Sequence, residues 1–382
     1  MHSTRSYRNH SIRDIVRLFD ASMVTRSFIN AGNFDNLLKK LSLKVEKLSR
    51  SSGARRGRES EVIVPLNLMF VGGSVCYGHH TYTEPGSPPI EEVFLASTHL
   101  SWPRRLVSLL EYVLTEYVHD IVPWRHISLK VSPRYCCRQA TSTTHAVDIL
   151  KGQQYIKGRC SRDVLNVINS TEKNSAPWEP DIILWDYSVN DMNNNWFLAR
   201  PRQYVYESFV RMSFRNRAAL ILDFEFINHL SPSPYKKIAF QQRQHINSHY
   251  GIPMIDYMSA LGTTDIESDT PLYASRLSNR HPAWPTHVIW SQLALGVILS
   301  GLMQWKHYHS KAHDSLSAYD TYENLLPHIL HSPPAGHDDY LGFCYNCSGY
   351  SSFYDFSDIK AKADMDAFLD VEGALPIKVL YV

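Results

Sequence analysis

The first ten residues lack an apolar run. They are polar and charged, so no secretory signal peptide is expected in them. A comfortable membrane span is also missing. The best stretch, residues 288–303, is short for a bilayer and is interrupted by Ser291 and Gln292. It reads as a buried core helix, and no membrane span is expected. Cysteine is at ordinary usage, with 6 in 382 residues, and no excess marks a disulfide scaffold. Cys344 and Cys347 form a CxxC pair, but no second pair exists to complete a zinc ribbon, and the adjacent Cys136 and Cys137 are poorly spaced for one metal. Disulfides or plain thiols are expected instead. His79, His80, His145 and His281 lack HxxxH-type spacing, so no metal and no cofactor is assigned. Aromatics are not scarce: 12% of the chain, including 22 Tyr, argues against a disordered protein.

The formal net charge of +2 conceals an asymmetry. Residues 1–60 hold 13 Lys and Arg against 5 Asp and Glu, about +8, which leaves 26 basic and 32 acidic residues, about −6, for the rest. This suggests a basic, helical, weakly packed N-terminal arm over 1–60, with short apolar stripes at Ile12–Phe19 and Leu37–Leu48 and a linker over 49–60. A solvated tail is the ordinary meaning of such a charge run, and no nucleic-acid partner is expected.

Beyond it, strand-like runs at 62–71, 126–131, 181–187, 218–226 and 253–257 alternate with helix-like runs at 102–117, 144–151, 204–216, 238–250 and 284–305. Strands alternating with helices imply βαβ units and a mostly parallel sheet covered on both faces. The expectation is an α/β fold, a three-layer α/β/α sandwich around a five-stranded sheet, over residues 61–310. Residues 81–92, rich in Pro and Gly, read as a lip over the site, and 152–178 as a loop insertion. Residues 311–382 read as an appendage with some β structure, ending in a strand-like 377–382.

The chain is organised around Met69 to His80. An apolar run stops at Gly72-Gly73-Ser74, and Gly78 follows four residues after the serine. Glycines at a strand exit allow a tight turn and close approach of backbone to a ligand. Ser74 would stand at the C-terminal end of the strand, where open α/β sheets place ligands. A serine hydroxyl needs a base to take its proton, and acyl transfer needs oxyanion donors. Residues 181–187 run into Ser188-Val189-Asn190-Asp191, which offers the Asn190 amide as a donor. Arg280-His281-Pro282 precedes the long apolar helix and offers an imidazole, with His287 following.

GGSxxxG, SVND and HPxxxxH, in this order and each at a strand exit, resemble the SGNH/GDSL hydrolase superfamily over about residues 62–305. The resemblance implies Ser74 as nucleophile and donor of an oxyanion N–H, Asn190 as side-chain oxyanion donor and His281 as general base, with His287 structural. Gly73 stands where the family has Asp, and Ser188 where the third motif has Gly. The second motif's glycine should fall in 138–143, where Ala140 is the substitute and its backbone N–H the donor. Three residues before His281, where the family has an orienting Asp, stands Ser278; Asp265 and Asp269 lie upstream.

The implied activity is that of a serine esterase hydrolysing a carboxylic ester, with a small acyl or glycan ester as substrate. Acyl transfer would use the same residues. The alternative from another class is a decayed site that binds carbohydrate, with the aromatic tail (Tyr340, Phe343, Tyr345 and others) stacking on sugar rings. The family is often secreted, and the sequons at Asn169 and Asn346 lean the same way.

Overall fold

A computed structural model describes residues 19–51, 61–78, 101–138, 141–151, 178–191, 202–225, 234–262, 276–278, 281–282, 284–312 and 330. The expected lip at 81–92, most of the insertion at 152–178 and the terminal strand at 377–382 lie outside these residues, as does Ala140.

Eight strands are described: β1 Phe28–Asn30, β2 Val62–Gly72, β3 Ile127–Cys137, β4 Ile182–Asp186, β5 Leu220–Glu225, β6 Met254–Asp256, β7 Arg276–Ser278 and β8 His281–Pro282. The helices are α1 Ala21–Ser27, α2 Asp35–Ser51, α3 Ser74–Tyr77, α4 Trp102–Glu116, α5 Val118–Ile121 and α6 Thr143–Lys151. They continue with α7 Ser188–Asp191, α8 Arg202–Arg215, α9 Pro234–Tyr250, α10 Tyr257–Leu261, α11 Trp284–Met303 and α12 Trp305–Ala312. The main sheet runs β1-β6-β5-β4-β2-β3, with only β1 antiparallel; β7 and β8 form a separate hairpin.

Along β2, Val64, Leu66, Leu68 and Phe70 join a core with α2, α4 and α11 residues, while Met69 and Val71 join a second core with α6 and α8 residues. Both faces of the sheet are therefore covered, which is why the strand reads as a nearly continuous apolar run. Pro65 interrupts that run without breaking it. The pairing of β2 with β4 begins only at Leu68, so Pro65 has a neighbouring strand on one side alone, a position that tolerates the missing N–H.

The sheet has six strands where five were expected. The sixth, β1, comes from the segment read as a weakly packed arm, and residues 19–51 are in fact built into the fold. Leu37, Leu38, Leu41 and Val45 of α2 are buried. Lys40 and Lys44 reach the N-terminal end of β4, where they pair with the buried carboxylate of Asp181 at 3.1 and 2.6 Å. Lys40 Nζ also donates to the carbonyls of Pro180 and Arg217. Two of the lysines that make this stretch look like a solvated tail are thus structural cations. Glycines on α11 accept the segment closely: a Cβ at Gly296 would stand 2.6 Å from Val24 Cγ2, and one at Gly301 2.1 Å from Phe34 Cδ1.

The second departure is β3, which continues past the expected end at 131 to Cys137. Ser132–Cys137 pair with Asn67–Gly72 of β2, and Pro133 is accommodated because β3 is an edge strand. Helix α11 is apolar and long enough to cross a membrane by length and composition, yet 89% of its apolar window is buried inside the fold. It packs on α4 and the sheet as a core helix.

Candidate active site

The order of the strands creates the site. From β2 the chain moves outward to the edge strand β3, then returns across β2 to β4 and continues to β5 and β6. The connections leaving β2 and β4 therefore diverge, and the C-terminal ends of these two strands form the switch point of the sheet. In open α/β sheets, that switch point is where ligands bind. Ser74 follows β2 and Asn190 follows β4, so the two residues leave adjacent parallel strands. Gly72 and Asp186, the last residues of the two strands, are partners in register.

The turn into Ser74 is held from both sides. Gly73 N–H donates to the Asp186 carbonyl at 3.0 Å, and Arg138 N–H donates to the Gly72 carbonyl at 3.0 Å. Gly72 is required by space: a Cβ there would fall 2.3 Å from Cys76 Cβ and 2.9 Å from the Asp186 carbonyl oxygen. Helix α3 is a single turn that begins at Ser74 and ends at Gly78, whose φ of 92° is the left-handed conformation glycine adopts readily. Ser74 is buried, with 6% of its surface exposed. Two residues further on, Cys76 forms a disulfide with Cys137 at the end of β3, tying α3 to the edge strand.

For Asn190, Ser278 and His281 the structure describes the backbone. Asn190 lies in the one-turn helix α7, closed by Asp191 N–H donating to the Tyr187 carbonyl at 2.8 Å. The strand β8, which carries His281, approaches α3 to within 8 Å between Cα atoms. Ser278 and His281 are partners across the β7–β8 hairpin. The segments bearing Ser74 and His281 are thus neighbours in space, although 207 positions separate them in the sequence. Ala140 lies outside the described residues, between Arg138, which bonds Gly72, and Thr141, whose hydroxyl donates to the Arg138 carbonyl at 2.6 Å.

His287 is fully buried, and its Nδ1 accepts the Trp102 backbone N–H at 3.2 Å. An accepting Nδ1 assigns the ring proton to Nε2 and leaves the imidazole neutral. This matches a structural histidine at the foot of α11.

One acidic group escaped the sequence. Asp186, 2% exposed, accepts a hydrogen bond from Trp102 Nε1 at 2.9 Å through Oδ2, while its buried Oδ1 has no partner among the described residues. Burial pushes this carboxyl up to about 7. The Trp102 hydrogen bond and the Arg243 charge oppose the rise, while Glu225 and Asp223 reinforce it. Its only signal in the sequence was an acid closing an apolar strand. Nearby, Arg243 bonds both Asp223 and Glu225 and lies over the Trp185 ring at 4.7 Å from its centroid, which fixes α9 to β5 and β4.

No protein-family model and no curated protein sequence matches this chain. Among solved structures, a two-domain esterase active on acetylated mannans aligns with a TM-score of 0.43 and 16% identity, over 81% of this chain and 61% of that one. The psychrotrophic esterase EstA from Pseudoalteromonas sp. aligns at 0.35 and 12%, over 62% of this chain and 98% of that one. A lipase/acylhydrolase from Enterococcus faecalis aligns at 0.36 and 12%, over 61% and 95%. The chain thus spans about three fifths of the two-domain esterase's length.

Proposed function

We propose that this chain is a serine esterase of the SGNH/GDSL type, cleaving a carboxylic ester with Ser74 as nucleophile, His281 as general base and Asn190 as oxyanion donor. The observation that carries the proposal is the switch point. The serine turn and the asparagine turn leave the adjacent strands β2 and β4 at that switch point, and the histidine strand β8 lies against the serine helix.

In this mechanism Ser74 Oγ attacks the ester carbonyl as His281 takes its proton. The carbonyl oxygen gains the negative charge and is held by the Ser74 N–H, the Asn190 amide and a backbone donor near Ala140. Collapse breaks the ester bond, and the alcohol leaves with the proton carried by His281. Water, activated by the same imidazole, then releases the acid from the acyl-enzyme and restores Ser74. A sugar hydroxyl replacing that water would make the chain an acyltransferase. The carbohydrate ester as substrate class follows from the sequence resemblance.

A second reading rests on two departures from the family's motifs: Ser278 stands where an orienting carboxylate belongs, and no glycine falls in residues 138–143, as in a site that retains binding and has lost catalysis. Acetate release from p-nitrophenyl acetate and from acetylated oligosaccharides separates the two. The esterase reading expects turnover that falls to background in Ser74→Ala. Oligosaccharide binding without turnover, unchanged in Ser74→Ala, would establish the binding protein.

A further inference from the structure

Asn190 can stabilise an oxyanion only if the backbone of α7 holds still. That helix is one turn of four residues. A single turn has almost no stability of its own, because its nucleation cost is unmatched by propagation. Something outside the helix must keep it in place.

The structure contains such a tie. The carboxylate of Asp191, the residue after Asn190, accepts the backbone N–H of Thr143 at 3.0 Å through Oδ1 and the Thr143 hydroxyl through Oδ2. Thr143 is the first residue of α6, so Asp191 caps the N-terminus of a helix 48 positions earlier in the chain. Since the Thr143 hydroxyl gives its proton to Asp191, it is free to accept, and Trp185 Nε1 donates to it at 3.0 Å. Trp185 is buried in β4, with Tyr206 edge-on at 5.1 Å between centroids and the Arg243 guanidinium over its ring. A continuous chain of contacts therefore runs from the sheet through Trp185 and Thr143 to the carboxylate beside Asn190.

We infer that Asp191 is a positioning residue of the oxyanion site: by capping α6 through Thr143 it locks the turn that presents Asn190. The inference rests on the esterase reading for its catalytic consequence, but the lock itself is a property of the fold. Removing the lock lets the turn shift, and a displacement of about 1 Å at a catalytic group costs up to about a hundredfold in rate. Ground-state substrate binding changes much less, because the donor is needed where charge develops.

The test combines kinetics with amide hydrogen exchange on the full chain. Asp191→Ala and Thr143→Val should each lower kcat at least about tenfold with KM changed less than about threefold. Thr143→Ser, which keeps the hydroxyl, should restore kcat to within about twofold of the wild type. The double variant Asp191→Ala/Thr143→Val should lose less than the product of the single losses, since both remove one tie. Exchange of residues 188–191 should quicken at least about tenfold in Asp191→Ala and stay slow in Thr143→Ser. If hydrolysis depends on Ser74 while Asp191→Ala leaves kcat unchanged, the positioning role is overturned and the esterase reading stands. If no ester is turned over, the exchange measurement still decides: unchanged protection in Asp191→Ala overturns the lock.

Discussion

Ser278 and His281 face each other as Cα partners across the short β7–β8 hairpin. On the proposed mechanism, a carboxylate at position 278 would favour the imidazolium that forms during catalysis. Ser278→Asp should move the acidic limb of the pH–rate profile to higher pH and raise kcat at alkaline pH. A fall or no change would mean that another carboxylate, such as Asp265 or Asp269, already serves the histidine.

The buried carboxyl of Asp186 makes stability depend on pH. Raised to about 7 by burial in the folded state, it lies above the ordinary carboxylate value of 3.8, so the folded state holds this proton more tightly than the unfolded state. The contribution is fully present below about pH 4 and is lost as pH rises through about 7, a change of order 4 kcal/mol at most. Asp186→Asn keeps an acceptor for Trp102 Nε1 and carries no charge. It should flatten the decline of melting temperature over this window relative to the wild type. An unchanged decline would show that Asp186 is not the group responsible.

The bond between Cys76 and Cys137 closes a loop spanning 61 positions and holds the helix that begins at Ser74. Replacing both cysteines by serine should lower stability by about 2–4 kcal/mol. On the proposed mechanism it should also reduce kcat more than KM, because the turn that carries Ser74 loses a restraint. Denaturant unfolding and steady-state kinetics check the two parts separately, and a variant with wild-type kinetics would limit the disulfide to a structural role.

Docking of residues 19–51 is equally testable. Asp181 is fully buried between Lys40 and Lys44 and accepts Asn67 N–H at 2.7 Å. Asp181→Ala leaves the buried Lys40 and the half-buried Lys44 without their counter-charge and should cost about 3–5 kcal/mol. A loss below about 1 kcal/mol by denaturant unfolding would mean that the segment contributes little to the fold.

The parts of this architecture that show in the sequence are local. β2, β4 and β5 are predominantly apolar runs, and α11 is apolar on all sides because it is buried on all sides. The Gly72-Gly73-Ser74 turn is visible because close approach admits no Cβ. What stays hidden depends on partners far along the chain. β1 is three residues long and half-buried, so it has no period of its own and exists only by pairing with β6. Lys40 and Lys44 look like solvent-facing charge until Asp181 is placed beside them. The tie between Asp191 and Thr143, and the bond between Cys76 and Cys137, each depend on β3 lying beside β2 and β4 on its other side. Strand order is not written in any local pattern.

The central claim, an activated serine at position 74, is tested most directly by a fluorophosphonate probe, which reacts with a serine only when a base and an oxyanion site activate it. Treated intact protein, digested and sequenced by mass spectrometry, should carry the adduct on Ser74 alone. Ser74→Ala should abolish labelling with little change in melting temperature, and His281→Ala should suppress the rate. An adduct on another serine, labelling that survives Ser74→Ala, or a folded wild-type protein that takes no label would contradict the account.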